Sequence, residues 1–157
     1  MNIVIAGTTV DNGVLFQTQQ YDTLSRDMYY RLSKYKDRQI TMITSSIGMN
    51  DWGGDGFWQS KNGNVYSCGW NGVFRLSGTK WSQIKETYSY VRSIGGADDK
   101  HIFVCEDNTI SFYDGSSWSI LNTGSSYKYY ISKIWCSANE VFVAFSDGIR
   151  TYILHGK

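Results

Sequence analysis

Residues 64–84 read NVYSCGWNGVFRLSGTKWSQI and residues 101–121 read HIFVCEDNTISFYDGSSWSIL, a match without a gap at an offset of 37. A third copy, EVFVAFSDGIRTY at 140–152, repeats the first thirteen positions at a further offset of 39. Val65 then corresponds to Ile102 and Val141, and Val73 to Ile110 and Ile149. A period of this length marks solenoids, propellers or arrays, in which one supersecondary unit buries its faces against the next.

The unit is β. In each copy a run of β-branched and aromatic residues meets a turn pair and a second such run follows, which is the pattern of a hairpin. The turn pairs are Asn71-Gly72, Asn108-Thr109 and Asp147-Gly148, and Asn, Asp and Gly tolerate the positive φ of short hairpin turns. A strand precedes each hairpin, at Val91–Ile94 and Ile131–Trp135, and a Trp-Ser-x-aliphatic run supplies a fourth. Four short antiparallel strands in about 40 residues make a propeller blade. The expected fold is therefore all-β, with propeller-type blades of 37–39 residues.

The chain reads as one β-propeller-like domain over 1–157, with a divergent N-terminal segment at 1–56 and three repeats at 57–157. Ile3-Val4-Ile5-Ala6-Gly7 and Asn12-Gly13-Val14-Leu15 form a fainter fourth hairpin. Tyr21, Leu24, Met28, Leu32 and Tyr35, spaced by three and four after Asp22 as a cap, predict one short amphipathic helix near 22–35. Ile40–Ile43 reads as a strand and 48–56 as a loop. The third repeat stops where its Trp-Ser strand should begin, so Ile3–Gly7 or a neighbouring subunit is expected to supply that strand and cover the edge.

Aromatic residues make up 16% of the chain and charged ones 18%, a balance that leaves many Tyr and Trp side chains for surfaces and sheet-to-sheet packing. A net charge of +1 argues against nucleic acid or an anionic membrane as partner. The one basic cluster, Arg26, Arg31, Lys34, Lys36 and Arg38, is interrupted by Asp27 and Asp37 and reads as a solvated face. With neither an apolar run of membrane-spanning length nor a signal-peptide pattern, the sequence reads as soluble without membrane insertion, and the cytoplasm or a virion suits it best.

Cys68 and Cys105 occupy the same place in successive copies, and Ala144 and Ala6 stand at the matching positions. A position that takes Cys or Ala wants a small apolar side chain, so packing rather than a disulfide is expected there. Neither the cysteines, Cys136 included, nor His101 and His155 have metal-ligand spacing, so no metal and no cofactor is expected. Catalytic residues are not expected either, because Asp98, Asp99, Asp107 and Asp114 fall in turns, where aspartate usually serves the backbone. The run Ser111–Trp118 resembles the Asp-box turn of sialidase propellers but departs from it, since Asp114 directly precedes Gly115.

VFRLSGTKWSQI at 73–84, followed by Val91–Gly96 and by Trp118-Ser119-Ile120, resembles tectonin or tachylectin-type repeats over residues 57 to about 152. Asn62–Gly72 is also similar to one strand pair of an RCC1-type repeat, although a period of 37 favours the tectonin type. The tectonin resemblance implies propeller blades and lectin-like recognition of surface glycans. Sugars bind to aromatic faces beside a few convergent polar groups. Trp70, Arg75, Tyr113 and Asp114, in or beside loops, are the candidate ligand-binding set. Trp81 and Trp118, repeated at one position, are expected to wedge between blades instead. Two functions follow as expectations. The first is a non-catalytic module that binds a glycan or protein surface ligand through blade-edge loops, and the second is a structural subunit, such as a virion or tail component, in a homo-oligomer or larger assembly.

Overall fold

The computed structural model describes residues 2–10, 12–47, 52–107, 109–121 and 130–156. These residues form four small antiparallel sheets and no helix. The first sheet is a meander of nine-residue strands, β1 (Asn2–Val10), β2 (Gly13–Tyr21), β3 (Met28–Lys36) and β4 (Gln39–Ile47). The second holds β5 (Gly56–Gln59), β6 (Val65–Gly69), β7 (Gly72–Ser77) and β8 (Lys80–Glu86). The third holds β9 (Val91–Asp98), β10 (His101–Glu106), β11 (Thr109–Tyr113) and β12 (Trp118–Leu121). The last has β13 (Tyr130–Cys136), β14 (Val141–Ser146) and β15 (Thr151–Gly156). First strands carry the succession, because β1 packs on β5, β5 on β9 and β9 on β13.

Each seam between successive sheets has its own apolar core. Leu15, Leu32, Trp52 and Phe57 fill the first seam, with Leu76 and Trp81 against them. The second seam holds Tyr66, Cys68, Val73, Val91, Ile102 and Val104, flanked by Trp58 and Trp118. Cys105, Ile110, Ile131, Ile134 and Val143 make up the third. Strand alternation explains this layout: Tyr66 and Cys68 face forward from β6 while Val65 faces back, so each sheet is apolar on both sides.

The sequence reading needs three corrections. No helix forms near 22–35. The chain instead turns at Asp22–Asp27, where Asp22 Oδ1 accepts from the Leu24 amide at 2.8 Å, Asp22 N–H donates to the Asp27 carbonyl at 2.9 Å, and Arg26 sits at φ 62°. Leu24 is 94% exposed, and Tyr30 and Leu32 alternate into the first seam from β3, so the period that governs burial is two.

Second, the equivalence of Ile149 with Val73 and Ile110 fails. Ser146 pairs with Thr151 across a four-residue loop whose Asp147 Oδ1 accepts the amides of Ile149 and Arg150 at 2.9 and 2.7 Å. Ala144 therefore pairs with Ile153, as Cys68 pairs with Val73 and Cys105 with Ile110, and Ile149 is 91% exposed.

Third, Ile3–Gly7 does not complete the last sheet. It lies in β1 and pairs with β2, with Val10 opposite Gly13. Ile40–Ile43 does fall in a strand, the first half of β4. Of the 48–56 loop, 48–51 lie outside the described residues. Trp52 is buried there and its indole N–H donates to Gln17 Oε1, while Gln17 Nε2 donates to the Gly54 carbonyl, which ties the first sheet to the entry of the second.

Candidate functional site

The four candidate ligand-binding residues separate to two ends of the sheets. Arg75 pairs across the ladder with Tyr66, near the β5–β6 turn, while Trp70 sits at the β6–β7 tip, four residues further along. At about 3.3 Å per residue, that spacing keeps Trp70 on the order of 13 Å away. Tyr113 and Asp114 begin the β11–β12 turn, at Arg75's end.

A polar clasp occupies the Arg75 end. Asp99, in the β9–β10 turn, accepts from Asn62 and Asn64 Nδ2 and from the Tyr66 hydroxyl, each at 2.8 Å, and Arg75 Nη2 donates to Asn64 Oδ1 at 2.9 Å. Partial burial works against the charge on Asp99, yet the hydrogen bonds it accepts hold its pKa down to about 2. Tyr66 is pushed up in turn, by burial first and then by Asp99. Asp114 Oδ1 accepts the amides of Ser116 and Ser117 at 2.8 and 2.7 Å, bonds that depress its pKa strongly. Tyr113 donates to the Gly115 carbonyl at 3.0 Å and packs 5.0 Å from Trp118. Arg75, Tyr113 and Asp114 thus hold turns and seams together.

Trp70 belongs to a different group. Its tip lies between the paired glycines Gly69 and Gly72, with Asn71 at φ 70°. A side chain at Gly72 would strike the Lys85 carbonyl, so the tip is shaped by that glycine's φ of 129° and its close approach to β8. Trp70 is 65% exposed and meets Tyr90 edge to face at 5.1 Å. Arg92 lies 5.3 Å over the Tyr90 ring and reaches Asp107 at 3.4 Å. The Tyr90 hydroxyl donates to Asp55, and burial followed by Asp55 pushes its pKa up to about 12. Burial likewise raises Asp55, with Tyr90's hydrogen bond opposing. Tyr88, beside them, is 99% exposed. Sequence reasoning missed Tyr90, Arg92 and Asp55 and read Asp107 only as a turn residue, although the aromatic pair Tyr88 and Tyr90 in a short inter-sheet loop was a usable signal.

This arrangement offers an aromatic face edged by a guanidinium and carboxylates. Among the described residues no three His, Cys, Asp or Glu side chains are grouped to hold a metal ion. Likewise, among the described residues no helix is long and apolar enough to cross a membrane.

No family model and no curated protein matches the chain. Among solved structures it is similar to the extracellular domain of a putative one-component system from B. thetaiotaomicron, at a TM-score of 0.55 and 15% identity. The match covers 98% of this chain and 26% of that one, so the chain spans about a quarter of that structure's length. At this identity the likeness concerns the fold.

Proposed function

We propose that the four sheets are blades of propeller type and that the chain is a non-catalytic, lectin-like module that binds a glycan or other surface ligand through loops at the Trp70 end of the sheets. The exposed Trp70 ring, braced by Tyr90 and edged by Arg92 and Asp107, is the observation that carries this reading. An aromatic plane with polar groups at its margin suits the apolar face and hydroxyls of a sugar. Trp70 has no packing duty of its own in a seam core, unlike Trp81 and Trp118. A glycan array tests the proposal: the wild type should give signals that Trp70→Ala lowers at least about tenfold, as loss of a stacking anchor implies, while its melting temperature holds. Unchanged signals in that variant would remove the platform.

A second reading, a structural subunit of a larger assembly, is favoured by the outer faces of the two end sheets. The first sheet exposes Val14, Tyr35, Ile40, Met42 and Ile47, and the last exposes Trp135 and Ile153. Contiguous exposed apolar faces mark interaction surfaces. Light scattering decides it, because this reading expects a mass well above 17.9 kDa.

A further inference from the structure

The carboxylates between the second and third sheets differ in how many donors they receive. Glu106 accepts from Lys85, Thr87 and Ser111, and Asp99 from Asn62, Asn64 and Tyr66. Asp55, at the Trp70 end, accepts from the Tyr90 hydroxyl, and no second donor and no cation bears on it among the described residues. An ionised carboxylate can accept about four hydrogen bonds, so most of its capacity is unfilled. The partners of Glu106 and Asp99 lower their pKa values, whereas burial wins at Asp55 and raises its own.

The backbone brings this carboxylate to the platform. The Asp55 amide donates to the Cys68 carbonyl at 2.8 Å, which lays the Gly53–Gly54 loop along the end of β6. A Cβ built at Gly69 would strike Asp55 Oδ2, so the carboxylate occupies the space that a side chain next to Trp70 would take. Tyr90 joins the two groups, since its hydroxyl is bound to Asp55 and its ring meets Trp70. Arg92 is matched by Asp107, and Asp55 is left as the charge without a counter-ion. Cations are drawn to aromatic faces, and Arg92 over Tyr90 shows that attraction at this end of the sheets.

We propose that the Trp70 platform selects an amino sugar with a free ammonium group, which stacks its ring on Trp70 and donates from its ammonium to the Asp55 carboxylate at the Tyr90 edge. This inference rests on the reading of the Trp70 end as a glycan platform and names the ligand class. A neutral sugar would leave the Asp55 charge uncompensated, and an acidic one would be repelled by it.

The test is isothermal titration calorimetry of the 157-residue chain at pH 6 with two sugars of equal length, the β-1,4-linked tetramer of glucosamine and its fully N-acetylated form. The wild type should bind the free-amine tetramer at least about tenfold more tightly, the scale of a charge-assisted hydrogen bond. Asp55→Asn, which keeps an acceptor for Tyr90, should abolish that preference and leave the acetylated tetramer bound within about twofold of wild type. Its melting temperature should hold or rise, because a half-buried charge is removed. Raising sodium chloride from about 50 to about 500 mM should weaken the free-amine tetramer and spare the acetylated one. Equal affinity of the wild type for both tetramers, no binding of either, a preference that survives in Asp55→Asn, or one insensitive to salt would overturn the inference and leave the platform to the glycan array. Binding of both tetramers to Trp70→Ala as tightly as to wild type would overturn the platform itself, and this inference with it.

Discussion

Trp118 and Trp81 occupy one repeat position but differ at the indole nitrogen. Trp118 donates to the Ile84 carbonyl, stacks near Tyr113 and has Lys85 Nζ 5.7 Å from its ring, whereas buried Trp81 Nε1 finds no partner among the described residues. Trp118→Phe should therefore cost about 1 to 3 kcal/mol through the lost hydrogen bond and the stranded carbonyl, while Trp81→Phe should cost less. Denaturant melts of the two variants check the ordering. The cysteines were legible for a similar reason: a position shared by Cys and Ala has to be small and apolar, and Cys68 and Cys105 are free and fully buried. Burial pushes the thiol of Cys105 up to about 12 and that of Cys68 higher still. Both should resist a thiol-specific reagent in the native protein at pH 8 and react on unfolding; rapid native-state labelling of either would contradict the packing. The candidate site was less legible, because Arg75, Tyr113 and Asp114 have the same residue types whether they bind a ligand or brace a turn. The fold adds the hydrogen bonds that each makes to a neighbouring group.

Elements of the second, third and last sheets could be read because turn residues recur at near-fixed offsets, whereas in the first sheet only the Ile3–Leu15 hairpin and the Ile40–Ile43 strand were legible, because β3 carries no repeat and mimics a helical spacing. Met28–Lys36 satisfies a helical spacing on paper, yet Tyr-rich β-formers and the positive φ at Arg26 commit it to a strand. Contacts between elements carry their own predictions. Glu106 on β10 accepts from Lys85 at 2.7 Å, Thr87 at 2.9 Å and Ser111 at 2.7 Å, joining the second sheet to the third. Burial opposes its charge, but these partners lower its pKa. Glu106→Ala would leave the part-buried Lys85 without its carboxylate, at a cost of up to about 3 to 5 kcal/mol, measurable by urea melts. The Asp99 clasp adds a pH dependence. Its pKa is lowered from 3.8 to about 2, so its stabilising effect is complete above the unfolded value and is lost as pH falls through the folded one. Asp99→Asn should melt below the wild type at pH 6, and the gap should close as the pH is lowered through the interval between those two values. A constant gap would mean that the charge is irrelevant to the clasp.

At the scale of the whole molecule, the repeat says what each sheet face is made for. Trp58 stacks on Tyr66 at 5.3 Å, and the pair faces forward into the second seam, where the Trp58 ring would meet a Cβ at Gly96 of β9 at 2.8 Å. Trp135 and Phe142 repeat that pair in the last sheet at 5.5 Å, and register places them at the same positions, since Trp58 pairs with Tyr66 and Trp135 with Phe142. Their face has no sheet against it among the described residues, and Trp135 is 56% exposed. His155 stacks on Phe142 at 4.4 Å and lies 3.2 Å from Glu140, which extends the aromatic surface across β15. A forward face built like an internal one favours continuation of the sheet series, and the apolar back face of the first sheet has the character of an acceptor. If copies of the chain supply that continuation, contact is head to tail and must close as a ring or grow as a filament. Trp135→Ser should then lower the mass seen by light scattering to that of one chain while leaving the melting temperature within a few degrees, because the side chain is outside the three seam cores. A variant that keeps the wild-type mass would show that this face plays no part in self-association, and one that unfolds would show that Trp135 supports its own sheet.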